Sequence, residues 1–216
     1  MTEPTPKYVV FDTETTGLFL FRDKATGETV PADDPRQPRM ASFAAIVTDE
    51  NGSIIDTHKM FIKPDGWSID GTKASEINGL TDAFLNEQGV PVSEVLDLWT
   101  GWIEQGLIVA AFNAQFDCKM MRAELRRADR DDLFEETANI CLMRALAPYK
   151  DEGLCILRGY VKLEVACEYF GITNVDAHDA MSDAIATTEI LRKLIADDRV
   201  PYAKVHFAKA KEKTDA

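Results

Sequence analysis

Positive charge is scarce in this 216-residue chain: 24 lysines and arginines stand against 37 aspartates and glutamates, for a formal net charge of −13 and a pI near 4.7. That balance excludes a broad basic footprint of the kind that grips long polyanions through many phosphates. Cysteine is scarce too. Cys118, Cys141, Cys155 and Cys167 show neither C-x-x-C spacing nor a grouping with the three histidines, so no thiolate metal site is encoded and the thiols are expected to be reduced and packed. No apolar run is long enough to span a bilayer, and Met1 to Pro6 lacks the positive start and apolar core of a secretory signal. A cytoplasmic setting is therefore expected, for a cellular or a virus-encoded protein alike.

The 45% hydrophobic content suits one well-packed domain and is short for two. Patterning places strands near residues 7–12, 41–48, 54–62, 107–111 and 138–141, and helices near 72–78, 92–104, 115–127, 161–170 and 180–196. The first three strands, two of them joined through Asp49-Glu50-Asn51-Gly52, read as an antiparallel meander. The later strands alternate with helices, which favours parallel crossovers. The expected class is α/β, a mixed five-stranded sheet flanked by helices. One domain is expected over residues 7–196, followed by an extension over 197–216, and the acidic run from Asp129 to Glu136 reads as a solvated loop.

Against this background three separated acidic patches stand out: Asp12-Thr13-Glu14-Thr15-Thr16-Gly17, Asn113-Ala114-Gln115-Phe116-Asp117, and Ala177-His178 followed by Asp183. Tyr8 to Phe11 reads as a buried strand running into Asp12, where an unpaired carboxylate is costly. Side chains at i and i+2 of a strand share a face, so Asp12 and Glu14 can aim their oxygens at one point. Hard divalent cations such as Mg²⁺ take such oxygens and keep positions open for substrate phosphates. Leu107 to Phe112 is an apolar run ending at a second strand-to-helix junction. There Asn113 is placed to cap the helix, and Asp117 falls in its first turn, complementing the macrodipole. Asp183 begins a helix whose apolar stripe reads Met181, Ala184, Ile185, Thr188, Leu191 and Ile195, with His178 just before it. Singly, each patch has an ordinary explanation: a solvated strand end, a helix-start acid, a histidine in a polar contact. Three together in this order point to a two-cation phosphodiesterase site.

FDTETTGL, NAQFD and AHDAMSDAIATT together resemble the three motifs of the DEDDh branch of 3′-to-5′ exonucleases. That family includes the proofreading epsilon subunit of DNA polymerase III, ribonuclease T and oligoribonuclease. The resemblance spans roughly residues 7 to 196, with weaker likenesses in ASEINGLTD, NICLMRALAP and KLEVACEYFGI. It implies a ribonuclease H-like fold and hydrolysis of phosphodiester bonds from a 3′ end, releasing nucleoside 5′-monophosphates. It also implies two divalent cations, Mg²⁺ or Mn²⁺. Asp12, Glu14 and Asp183 would hold the first, with Asp12 bridging to a second supported by Asp117. His178 takes the place of the general base, a role suited to a near-neutral pKa. Thr15, Leu18, Phe116 and Asn113 fall at substrate-contact positions. Of these, the Thr15 backbone would meet the terminal 3′-hydroxyl, Leu18 would wedge against the last base, and Phe116 would pack a base. For Leu18 and Phe116 plain core packing is the alternative. Two departures concern substrate contacts and leave the ligand set and base intact: Phe112 stands where many relatives carry histidine, and Ser42 where many carry glutamate.

With the resemblance in place, the acidic balance implies a short footprint on single-stranded 3′ ends. Four carboxylates belong to the site, where two dications would cancel them. FAAIVTDENGSIID is similar to stand-alone DNA exonucleases, which favours DNA over RNA as the nucleic-acid partner. An RNA-trimming exonuclease and a non-cutting binding module of a polymerase or repair complex are the alternatives. Whether the chain works alone, as a homodimer or as a proofreading partner of a polymerase stays open. Phe19 to Arg39 is a long connection between two strands, carrying Arg22, Lys24, Arg36 and Arg39 with three prolines. It reads either as a border of the substrate groove that supplies positive charge or as a tolerated surface insertion. The basic segment with Lys204, Lys209, Lys211 and Lys213 reads as a frayed tail or a loose phosphate contact.

Overall fold

The computed structural model of the protein describes residues 4–133 and 137–203. Tyr8–Thr15 forms β1, Met40–Thr48 forms β2 and Ile54–Phe61 forms β3, paired as the antiparallel meander that the sequence predicts. Asp49 tightens the second turn by accepting from the amides of Asn51 and Ser53, each at 2.8 Å. Gly52 in that turn adopts a φ of 77°, a left-handed conformation that glycine takes without steric cost. Ile108–Ala111 (β4) and Asn139–Cys141 (β5) add parallel neighbours, giving the order β3-β2-β1-β4-β5. The mixed five-stranded sheet is therefore present, and its central strand is the one that carries Asp12 and Glu14.

The helices are α1 (Lys73–Asn78), α2 (Asp82–Gln88), α3 (Val92–Glu104), α4 (Ala114–Arg127), α5 (Leu142–Ala145), α6 (Leu163–Phe170) and α7 (Ala180–Ala196), with a 3₁₀ turn over Ala147–Glu152. The short α2, α5 and the 3₁₀ turn are not among the helices that the sequence predicts, although α1, no longer than α2, is. Along β1 the alternation separates two layers. Phe11 meets Trp99 of α3 edge-on at 4.8 Å, whereas Ala44 and Ile46 of β2, opposite Asp12 and Val10, pack against Ala180 and Ala184 of α7. With helices on both faces, every residue of β2 is buried, which explains its unbroken apolar run.

Several expectations need correction. The α7 stripe is broader than one face, because α7 packs on β1 and β2 and also against α5 and α6. Ala186, Ile190 and Leu194 join Ala184, Thr188 and Leu191 inside, while Ile185 is exposed. Cys118, Cys141 and Cys167 are buried free thiols as expected, but Cys155 is exposed. In the acidic run, Asp132 pairs with Arg122 and Arg126 instead of being simply solvated; Phe134 to Glu136 lie outside the described residues. So do Lys204, Lys209, Lys211 and Lys213. Among the described residues no helix is long and apolar enough to cross a membrane.

The connection from Phe19 to Arg39 is ordered by polar groups that no local pattern announces. Buried Gln37 grips Leu20 from both sides, its Oε1 accepting from the Leu20 amide and its Nε2 donating to the Leu20 carbonyl, each at 2.8 Å, with a further bond to the Pro31 carbonyl. At the base of the connection Glu124 of α4, 1% exposed, accepts from the Arg39 guanidinium, the Met40 amide and Arg127. Arg36 pairs with Asp34 and Asp23. Arg36 and Arg39 are thus spent on internal pairs, and the expectation that they offer free charge to a strand is corrected. A buried carboxylate shared by two guanidiniums leaves both uncompensated when removed. Glu124→Ala is expected to cost about 3 kcal/mol, lowering Tm by roughly 10 °C in thermal denaturation; an unchanged Tm would mean that the pairs contribute nothing.

Candidate metal-binding active site

β1 ends at the carboxyl side of the sheet together with its parallel neighbour β4, and the chain leaves β4 directly into α4. Ligand sites of α/β sheets gather beyond such strand ends. Asp12 and Glu14 project from one face of β1 toward the α7 layer, and Asp183 sits in the first turn of α7. One side-chain donor atom each from Glu14, His178 and Asp183 lies within 4.8 Å of the others. Asp117, in the first turn of α4, is buried beside them.

Asp117, Asp183 and Glu14 each meet a polar side chain from outside the patch that contributes them. Asp117 Oδ1 accepts from the Thr13 hydroxyl at 2.8 Å and the Thr13 amide at 3.2 Å, so the residue between Asp12 and Glu14 anchors the acid of the second patch. Asp183 Oδ1 accepts from Asn174 Nδ2 at 2.6 Å, and its Oδ2 lies 3.4 Å from the His178 amide. Asn78, at the end of α1, lies near the Glu14 side chain and favours its charged form. Asp179 caps α7 through the amides of Met181 and Ser182 and binds Lys59 Nζ at 2.5 Å. Thr13, Asn78 and Asn174 were missed by the sequence reading. Strand alternation turns Thr13 away from Asp12 and Glu14, a readable clue, whereas the two asparagines carry no local pattern.

His178 immediately precedes the Asp179 cap and adopts a φ of +69°. A left-handed backbone is costly for a residue with a Cβ, and such strain is found where a side chain must be aimed. Here it puts an exposed imidazole beside Glu14 and Asp183.

The substrate-contact residues divide. Leu18 is 83% exposed beyond the site, which removes core packing as its explanation. Phe116 is half-buried edge-on against Phe19 at 5.4 Å. The Thr15 side chain is buried, its hydroxyl donating to the Gly17 carbonyl at 2.8 Å. Asn113 is the N-cap of α4 by position, but its side chain makes no capping bond, so the expected amide cap is corrected. Ser42 pairs in register opposite Glu14, where its buried hydroxyl has no partner among the described residues. Phe112 is buried in the main core.

The electrostatics are those of a site awaiting positive charge. Burial first, then repulsion from Asp117, Asp183 and Glu14, raises Asp12 well above the usual carboxylate range. Burial and Asp183 push Glu14 up to about 8 against the relief of Asn78. Burial pushes Asp117 to about 7 despite the Thr13 bonds, and burial raises Asp183 despite Asn174. An all-oxygen set with one imidazole, crowded and without a cation of its own, fits hard divalent ions. Asp12, Glu14, Asp117 and Asp183 are the residues that could hold them.

Each of these acids has a folded pKa above its unfolded value, so the folded protein keeps protons that the unfolded chain releases. The contribution of the site to cation-free stability is full below about pH 4.5 and is lost as pH rises towards about 8. Thermal melts in chelator should fall by several degrees across that window as far as the site is concerned, and Mg²⁺ should raise Tm more at pH 8 than at pH 5. Equal Mg²⁺ effects at both pH values would contradict the assignment.

Comparison with known proteins identifies the family. The exonuclease family profile of the ribonuclease T type matches residues 9–191. The chain is 28% identical to the DNA polymerase III epsilon subunit of Treponema pallidum, over 88% of this chain and 76% of that protein. It is 31% identical to the PolC-type DNA polymerase III of Mycoplasmopsis pulmonis over 85% of this chain, and 27% identical to that of Clostridium perfringens over 97%. It spans only 11% and 12% of those two polymerases. Among solved structures, exonuclease I of E. coli in a zinc-bound complex with single-stranded DNA shares the fold at a TM-score of 0.70 and 22% identity, over 90% of this chain and 41% of that one. The profile covers the strand of Asp12, the helix of Asp117 and the His178–Asp183 segment alike, and the chain belongs to the exonuclease family, with the motifs of its 3′-to-5′ branch.

Proposed function

We propose that this chain is a divalent-cation-dependent exonuclease that removes nucleoside 5′-monophosphates from the 3′ end of single-stranded DNA. The observation that carries the reading is the convergence of Glu14, His178 and Asp183 within 4.8 Å, beside Asp12 and the Thr13-anchored Asp117. Exonuclease I, a neighbour in fold, has been crystallised with single-stranded DNA, and the polymerase III relatives are DNA enzymes by name, which supports DNA over RNA. The net charge of −13 supports a short footprint at strand ends.

Asp12, Glu14, Asp117 and Asp183 would hold two cations, Mg²⁺ or Mn²⁺. When bound, such a pair neutralises charge on the scissile phosphate and lowers the pKa of the attacking water. His178, aimed by its left-handed backbone, would take the proton of that water on a ring nitrogen. The Asn174 and Thr13 bonds fix the carboxylates before substrate arrives, so little reorganisation is needed at the moment of reaction. Leu18 would stand against the terminal base, with Thr15 at the 3′-hydroxyl and Phe116 and Asn113 lining the same end. Residues 7–196 act as one catalytic domain, with 19–39 as an insertion and 197–216 as an extension. Association with a polymerase is supported by the names of the relatives.

The test is digestion of matched 5′-labelled DNA and RNA oligonucleotides. A ladder from the 3′ end is expected, faster on DNA, abolished by chelator, and slowed by about 10²- to 10⁴-fold in His178→Ala. Digestion that survives His178→Ala at the parent rate would remove the base assignment, and faster digestion of RNA would reassign the substrate.

A further inference from the structure

Just past the carboxylates the chain displays apolar side chains that the fold leaves in water. Leu18 is 83% exposed, Leu20 39% and Phe21 62%. Their exposure is built. Gln37 clamps both backbone groups of Leu20, the Phe21 carbonyl accepts from the Val30 amide at 3.2 Å, and Arg22 bridges to Thr29 in a small antiparallel stem. A buried amide thus holds apolar residues outward at a fixed place, the pattern of a surface kept for an occupant.

Lys119 supplies the complementary charge. Its ammonium lies 4.4 Å from the centroid of the Phe19 ring and 4.5 Å from that of Phe21, and it enters none of the ion pairs among the described residues. It is a cation with no carboxylate partner among the described residues, in a strongly acidic protein. Phe116, three residues earlier on α4, packs edge-on against Phe19 and directly precedes Asp117, which makes the patch continuous with the site. With the ammonium over one face of the exposed Phe21 ring, the other face is left for a base and the charge, which has no carboxylate partner, for a phosphate, the two parts of a nucleotide.

We propose that Phe21 and Lys119 form a nucleotide subsite for single-stranded nucleic acid, in which a base upstream of the terminal one stacks on the Phe21 ring while its phosphate meets the Lys119 ammonium. This inference rests on the reading of the chain as a 3′-end nuclease. It gives the 19–39 connection a role through an aromatic ring, since two of its arginines are committed elsewhere.

The experiment is fluorescence anisotropy with a 5′-fluorescein oligothymidylate of about ten nucleotides, Ca²⁺ replacing Mg²⁺ to limit cleavage. A matched strand carries abasic sites upstream of the terminal residue. Phe21→Ala and Lys119→Ala are each expected to raise Kd about tenfold on the strand with bases, and Phe21→Trp to keep it. On the abasic strand Phe21→Ala should bind like the parent. A Phe21→Ala Kd unchanged on the strand with bases, or weakened equally on both strands, would overturn the subsite; melting curves show that each variant is folded. Cleavage by the parent is scored separately. Failure to cut with this binding pattern intact would sink the exonuclease reading alone, and cutting without the pattern would sink the subsite alone.

Discussion

The burial of Asp12, Glu14, Asp117 and Asp183 close together at one end of the sheet, with the repulsion that adds to it, is the constraint to which the rest of the structure answers. Four acids at one sheet end oppose folding unless something holds them, and the protein holds them by geometry without neutralising them. Thr13 and Asn174 donate hydrogen bonds, and Asn78 lies near Glu14, but none brings charge. Nearby cations are committed elsewhere, Lys59 to Asp179 and Arg39 to Glu124. Folding energy is therefore stored as raised carboxylate pKa values that a divalent cation can release.

Central placement in the sheet makes this tolerable. β1 is paired on both sides, and its buried start, Tyr8 to Phe11, is packed between α3 and α7. The apolar part of the strand anchors the acidic part, and α4 and α7 each present an acid from their first turn. A helix start contributes partial positive charge, so Asp117 and Asp183 sit where the backbone itself offsets part of the repulsion.

Much of this was legible in the sequence because it is local. The Tyr8–Phe11 run ending in Asp12, the spacing of Glu14, and the long amphipathic α4 and α7 are short-range patterns that survive without tertiary information. What stayed hidden depends on contacts between distant residues. Thr13 bonds to Asp117 across 104 positions, and Glu124 answers Arg39 across 85. The arginines of the 19–39 segment looked free because their partners are not neighbours in a motif. Ile185 looked like a core residue because a single stripe was expected where α7 is wrapped on two sides. The left-handed backbone of His178 has no sequence signature either, because no local pattern marks which residue before a helix takes that conformation.

The most direct test of the central claim is the anomalous diffraction of crystals grown with Mn²⁺. Two peaks roughly 3.5 to 4 Å apart are expected within the cluster of Asp12, Glu14, Asp117 and Asp183, the residues that would hold the ions. An empty cluster at saturating Mn²⁺, or ions bound only at other acidic surfaces, would contradict the account.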